Sequence, residues 1–201
     1  MKASLWAVAL VCVFVLIATP AKADETAEKW YDRIDFQGDT RLRYESFDVE
    51  GIDDRSRLRF RSRFGFSVGM LDNVDFVMRL ATGGGDPVST NQTLGNGFST
   101  KDIGLDLAYV AWAVTDGLDV YAGKMKNPMF KAGKVPLIYD SDLTPEGVAG
   151  SYSSGIFFSN LAGYAIQERP LSDDSFLYHG QVGVKLAVGD GAKLTSGIGY
   201  F

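Results

Sequence analysis

Residues 57–70 read RLRFRSRFGFSVGM, and their side chains divide by position into two sets. The even positions carry Leu58, Phe60, Ser62, Phe64, Phe66, Val68 and Met70. The odd positions carry Arg57, Arg59, Arg61, Arg63, Gly65, Ser67 and Gly69. A helix would mix the two sets around its circumference, whereas successive side chains of a β-strand point to opposite faces. The segment is therefore predicted to be a strand with one basic face and one apolar face.

The preceding segment, residues 36–45, repeats this division in the sequence FQGDTRLRYE. Its even positions are Phe36, Gly38, Thr40, Leu42 and Tyr44, and its odd positions are Gln37, Asp39, Arg41, Arg43 and Glu45. Consecutive strands usually lie side by side in a sheet. The arginines of both segments are therefore expected to share one basic face.

Seven further segments read as strands bounded by turn signals. They are residues 74–82, 103–113, 118–125, 147–152, 156–167, 176–186 and 193–200. The faces are ambiguous in residues 103–113, because Leu105, Leu107 and Tyr109 alternate on one face while Val110 and Trp112 fall on the other. The orientation of this strand stays open from the sequence.

The connections between these strands alternate in length, as they do in outer-membrane barrels whose short turns face the periplasm. The long ones are residues 48–56, 83–102, 126–146 and 168–174, and the short ones are residues 71–73, 114–117, 153–155 and 188–192. The pattern predicts an all-β protein, a transmembrane antiparallel up-and-down β-barrel with one face toward lipid and the other toward water.

The predicted strand number also bears on the extent of the chain. Nine strands are an odd number, and bacterial single-chain barrels have even numbers. Residues 24–201 are therefore expected to be the N-terminal part of a barrel that continues beyond Phe201. A small closed barrel is the alternative, because complete barrels also end on an aromatic residue.

The amino terminus has the features of an export signal. Lys2 precedes an uncharged apolar run over residues 3–19, and Ala21-Lys22-Ala23 forms a small-residue cleavage site. Residues 1–23 are therefore predicted to be a cleaved signal peptide, with an uncleaved membrane anchor as the alternative. Cys12 is the only cysteine, so the mature chain has none. This excludes a disulfide framework, a cysteine-ligated metal and a thiol nucleophile.

Composition narrows the class of protein further. The chain is 46% hydrophobic and lacks a second long apolar run, as expected if its apolar residues alternate along strands. Removal of Lys2 and Lys22 leaves 18 basic residues against 25 acidic ones, so nucleic acid is not an expected partner. His179 is the only histidine and has no Ser or Asp motif beside it. No enzyme, cofactor or metal site is predicted.

Four stretches of the sequence resemble the bacterial "putative porin" family, which is similar in architecture to the phosphate-selective porins. They are ATGGGDPVSTNQTL at 81–94, GLDLAYV at 104–110, GKMKNP at 123–128 and DSDLTPEG at 140–147. The resemblance covers residue 34 to about residue 201. It implies an outer-membrane barrel of about 16 to 18 strands that forms a water-filled diffusion channel. A homotrimer embedded in outer-membrane lipid is expected by analogy.

Two sets of charged residues are candidates for controlling passage through such a channel. The first is a pore-lining wall of Arg41, Arg43, Arg57, Arg59, Arg61 and Arg63, whose charges would favour small anions among hydrophilic solutes. The alternative is that these arginines pair across strands with Asp39, Glu45, Asp75 and Asp106 and simply fill a polar interior.

The second set lies in or beside the connection 126–146, which is predicted to fold inward as a constriction loop. Its members are Lys124, Lys126, Lys131, Lys134, Asp140 and Asp142. Lysine is a mobile cation suited to passing phosphate or carboxylate groups. A loop that simply projects outward into solvent is the alternative. The competing function for the whole protein is a structural or adhesive barrel whose lumen is filled by its own side chains.

Overall fold

A computed structural model describes residues 29–135, 137–189 and 191–201, so the predicted signal peptide lies outside the described residues. The regular secondary structure of the described residues is almost entirely β-strand. Its strands are β1 (Ile34–Val49), β2 (Ile52–Leu71), β3 (Val74–Thr82), β4 (Gln92–Thr93), β5 (Ile103–Thr115), β6 (Leu118–Lys124), β7 (Glu146–Ser154), β8 (Phe157–Gln167), β9 (Ser175–Val188) and β10 (Ala192–Tyr200). Two short 3₁₀ helices span Trp30–Arg33 and Ala132–Lys134. Within the described ranges, no helix has the length and apolarity needed to cross a membrane.

The strands form one antiparallel sheet in the order β1-β2-β3-β5-β6-β7-β8-β9-β10, and β4 pairs with β2. Each long strand therefore pairs with the next long strand along the chain, which is the up-and-down topology. The predicted all-β, antiparallel, up-and-down fold is confirmed, and each of the nine predicted strands corresponds to one of these strands. The two-residue strand β4 was not predicted.

The sheet has two chemically different faces that continue from β2 to β9. We define the inner face as the side of the sheet that carries the arginines of β2 and one row of side chains that are paired in register from β3 to β9. The residues of this row are Asp75, Ala111, Tyr121, Ala149, Ala162 and His179. The opposite, outer face carries large apolar side chains that are mostly exposed, among them Leu161 at 66% exposure and Tyr178 at 70%. Such a face is suited to contact with lipid hydrocarbon.

A β-bulge in β5 explains the ambiguous faces of residues 103–113. Arg79 of β3 pairs with Leu107, but the next residue, Leu80, pairs with Leu105, so Asp106 is an extra residue in β5. Asp106 and Leu107 are both buried, at 7% and 1% exposure. The bulge shifts the alternation by one residue, so the strand keeps apolar residues on the outer face on both sides of Asp106.

The first connection differs from its prediction. Residues 48–56 do not form a long loop, because β1 and β2 continue until Val49 pairs with Ile52 across a tight turn. Gly51 in that turn has a φ of 82°, which glycine adopts at little cost. The acidic residues of this segment have low strand propensity, and pairing within the hairpin overrides it. The hairpin extends beyond β3, whose pairing with β2 ends at Arg63 and Ala81.

Candidate functional site

Six arginines and two carboxylates form a compact grid on the inner face of the β1–β2 hairpin. The register pairs are Asp39 with Arg63, Arg41 with Arg61, Arg43 with Arg59, and Glu45 with Arg57. Directly opposed side chains on a sheet lie about 5 Å apart at Cβ. We call this group the arginine patch. The six arginines that the alternating sequence predicts on one face therefore do share that face.

The two carboxylates of the arginine patch hold most of its guanidinium groups. Asp39 accepts hydrogen bonds of 2.7 Å from Arg61 Nη2 and 2.7 Å from Arg63 Nε. Glu45 accepts one of 2.6 Å from Arg57 Nε and also pairs with Arg43. The predicted cross-strand pairing is thus present for these two acids. Six arginines against two carboxylates nevertheless leave an excess of four formal positive charges.

The other two acids of the pairing alternative lie outside the patch. Asp106 accepts a 2.6 Å bond from Arg79 Nε on the neighbouring strand. Within the described part of the chain, Asp75 has no ion-pair partner. Neither carboxylate therefore reduces the charge of the arginine patch by direct contact.

The connection 83–102, which we call the second loop, covers part of the arginine patch. Arg41 Nη2 donates to Asn91 Oδ1 at 2.8 Å, and Arg59 Nη2 donates to the Asn91 carbonyl at 2.9 Å. Strand β4 of this loop pairs with β2 at Arg59 and Phe60. Sequence reasoning missed these contacts because an irregular loop has no periodicity that indicates its partner.

The connection between β6 and β7, residues 125–145, is the third loop, and it lies on the inner face. Its Met125 and Met129 are 0% and 5% exposed. They pack in one buried cluster with three inner-face residues, Ala149, Ala162 and Tyr164. Because Met125 and Met129 are buried against the sheet, this part of the loop lies on the inner face instead of projecting outward into solvent.

Polar contacts with β8 and β9 hold the third loop at defined points. The amide of Gln181 accepts a hydrogen bond from Phe130 N at 2.8 Å and donates to the Phe130 carbonyl at 3.0 Å. Gln181 Oε1 also accepts from Asn160 Nδ2 at 2.9 Å. The Tyr139 hydroxyl lies 3.0 Å from His179 Nδ1, and burial raises the pKa of Tyr139. The single histidine therefore serves here as an anchor for the loop.

Among the lysines predicted in or beside the third loop, the three whose side chains the structure describes, Lys124, Lys126 and Lys131, have separate surroundings and do not share one site. Lys124 lies at the end of β6, where its ammonium binds Glu146 at 2.9 Å. Lys131 donates to the Asp140 carbonyl at 3.1 Å. Lys126 is exposed and lines a cavity that includes Arg79. The side chain of Lys134 lies outside the described part of the structure.

The acidic end of the third loop reaches the arginine patch. Asp142 Oδ1 lies 4.0 Å from Arg61 Nη1 and 3.8 Å from Arg63 Nη1. Asp140 supports this position, because its Oδ1 accepts a 2.8 Å hydrogen bond from Asp142 N. The second and third loops therefore meet the same arginine patch, one through neutral oxygen atoms and the other through a carboxylate.

The fold and its faces define the class of transmembrane β-barrel proteins, since an up-and-down sheet carries lipid-compatible side chains on one face and charged groups on the other. Residues 49–201 match the model of a protein family described as "Putative porin". The chain belongs to this family, and the predicted family resemblance is confirmed. No curated protein matches the chain. The similarity to phosphate-selective porins stays a prediction.

Proposed function

We propose that the protein forms a water-filled diffusion channel in the outer membrane that favours small anions. Membership of the porin family supports the channel and its location. The observation that carries the anion preference is the arginine patch, in which six arginines face two carboxylates on the side of the sheet that both loops cover. Fixed charges beside a narrow passage concentrate ions of opposite sign.

The size of this preference follows from the uncompensated charge. One unit charge attracts an anion about 8 Å away by about 0.5 kcal/mol in bulk water. Four excess charges acting together give about 2 kcal/mol before screening, and the nearby carboxylate of Asp142 reduces this. A difference of about 1.4 kcal/mol is a tenfold ratio. We therefore expect an anion-to-cation permeability ratio of about ten at low salt.

In this proposal the third loop narrows the channel, because it lies across the inner face from β6 to β9 and reaches β2. Lys126 and Lys131 line its approach, and Asp140 and Asp142 moderate the positive field. The arrangement favours small hydrophilic solutes over large ones. We propose three copies in the membrane as the assembled form, and a mass measurement of the detergent-solubilised protein tests this.

The test of anion preference is the zero-current potential of the native protein in a planar bilayer under a salt gradient. The double substitution Arg41→Gln and Arg59→Gln removes two charges without depriving either carboxylate of a short ion pair, since Arg59 lies 3.9 Å from Glu45. It should move the potential toward cation preference. Arg55→Gln with Arg169→Gln is the matched control, because neither residue belongs to the arginine patch.

Three outcomes are informative in this experiment. An anion-selective potential that falls in the patch variant and not in the control supports the proposal. A cation-selective native channel rejects the electrostatic assignment and keeps the porin. The ion pairs of Asp39 and Glu45 favour a second candidate, a structural barrel whose lumen is filled by its own charges. Absence of conductance from correctly folded protein would select that candidate.

A further inference from the structure

The centre of the arginine patch is held by neutral oxygen atoms instead of carboxylates. Asp39 and Glu45 stand at opposite ends of the grid and form short ion pairs with the arginines nearest to them. Arg41 and Arg59 are left between them. Their short acceptors are the side-chain and main-chain oxygens of Asn91, at 2.8 Å and 2.9 Å.

The position of Asn91 is fixed by the loop around it. Its main-chain N–H and its Nδ2 both point to Ser89 Oγ, at 3.4 Å and 3.3 Å. On the adjacent residue, the Thr90 carbonyl accepts a 3.0 Å hydrogen bond from Thr82 Oγ1 at the end of β3. The next two residues form β4 against β2. Asn91 is therefore attached to the sheet on both sides and is not a free loop tip.

The chemistry of an amide matches what the centre of the patch needs. Neighbouring guanidinium groups repel one another, and each has several N–H donors that require acceptors. A carboxylate would supply an acceptor but cancel one positive charge. An amide or peptide oxygen accepts the same hydrogen bond and leaves the charge in place. In the part of the chain that the structure describes, Nε of both Arg41 and Arg59 has no hydrogen-bond partner.

We propose that Asn91 is a positioning residue, which holds Arg41 and Arg59 toward the channel without neutralising them and so sets how strongly the patch binds a passing anion. This inference rests on the proposed function. In this inference the second loop contributes to ion selectivity, whereas the third loop narrows the channel. Asn91 acts through the two arginines, and the ligand of the patch is a small inorganic or carboxylate anion.

The experiment compares Asn91→Asp, Asn91→Ala, Asn91→Ser and Asn96→Asp in planar bilayers, with chloride as the probe. Asn96 lies exposed in the same loop and, within the described residues, is not among the hydrogen-bond partners of Arg41 and Arg59, which are Asn91 and Ser89, so Asn96→Asp makes the same charge change without a direct contact to these arginines. Asn91→Asp should lower the anion-to-cation permeability ratio about twofold, because its carboxylate adds one negative charge beside Arg41. Asn96→Asp should leave the ratio nearly unchanged.

The uncharged variants separate positioning from a structural role. Asn91→Ala should keep the sign of the selectivity and the maximum conductance, while the chloride concentration for half-maximal conductance rises a few-fold. Asn91→Ser retains a small acceptor and should lie between Asn91→Ala and the native protein. If Asn91→Ala does not fold, the comparison of Asn91→Asp with Asn96→Asp still decides the question.

Each contrary result has a distinct meaning. A native channel without anion preference rejects the proposed function and this inference with it. An anion-selective native channel in which Asn91→Asp and Asn96→Asp give the same potential rejects only the role of Asn91. A reduced maximum conductance at unchanged half-saturation in Asn91→Ala indicates a structural residue and also rejects that role.

Discussion

Replacing Gln181 with leucine should release the third loop from the inner face. Gln181 is the residue that satisfies both main-chain groups of Phe130, at 2.8 Å and 3.0 Å, and it also accepts from Asn160. Leucine has a similar size and provides no donor or acceptor. The N–H and the carbonyl of Phe130 would then remain on the partly buried face without these partners.

The magnitude follows from the groups left unpaired. A buried donor or acceptor without a partner costs about 1–3 kcal/mol. Because the site is only partly buried, we use the lower limit of about 1 kcal/mol for each of the two Phe130 groups, which gives about 2 kcal/mol in total. Since about 1.4 kcal/mol is a factor of ten, the population with an undocked loop should increase about 30-fold.

The assay uses a thiol that is protected only while the loop is docked. Met129 is 5% exposed, and residues 24–201 contain no cysteine, so Met129→Cys supplies a single label site within this part of the protein. The rate of modification by a water-soluble thiol reagent should rise about 30-fold when Gln181→Leu is added.

The matched control is Gln167→Leu in the same Met129→Cys background. Gln167 is exposed at the end of β8, where it accepts a single 2.8 Å bond from Arg169. This control should change the labelling rate by less than twofold. Equal labelling rates with and without Gln181→Leu, in folded protein, would refute the argument that Gln181 anchors the loop.

Two further predictions concern the sheet itself. Leu161 and Leu171 are both exposed, at 66% and 100%, but only Leu161 lies on the outer face. In lipid vesicles, Leu161→Arg should therefore lower the free energy of unfolding by about 2–4 kcal/mol, whereas Leu171→Arg should lower it only slightly. A urea titration measures both, and equal effects would contradict the lipid-facing assignment. Gly183→Ala would place a Cβ against both Phe158 Cζ and the main-chain carbonyl of Ser196, closer than van der Waals contact allows, and should cost about 1–3 kcal/mol, whereas at Gly180 the nearest atom is 3.4 Å away. A similar loss in Gly180→Ala would show that this close contact is not the cause.

The alternation of side chains predicted most of the fold because it is a local property. In residues 57–70 each arginine has at least one large apolar neighbour, and a register shift of one residue would place every arginine on the lipid side. The sequence therefore constrains both the strand and its orientation. It did not predict the bulge at Asp106, because the evidence for it lies in the pairing of β5 with β3.

The candidate site could be predicted only in part. The grouping of the six arginines follows from two adjacent strands with the same period. Their contact with Asn91 joins residues 50 positions apart, through a loop whose backbone has no regular pattern. The lysines were grouped because they are close in sequence, yet Lys124 binds Glu146 across the sheet and Lys131 binds the Asp140 carbonyl within the loop.

The anchoring of the third loop by Gln181 also sets an order of assembly. Phe130 and Gln181 are separated by 51 residues, whereas each hairpin of the sheet joins neighbouring segments. Contacts between distant residues carry a larger loop-closure cost and form after local ones. The loop thus acquires its docking partners only once β8 and β9 exist as a pair. In the proposed channel, the passage would therefore become narrow only after β8 and β9 have paired, as a late step of folding.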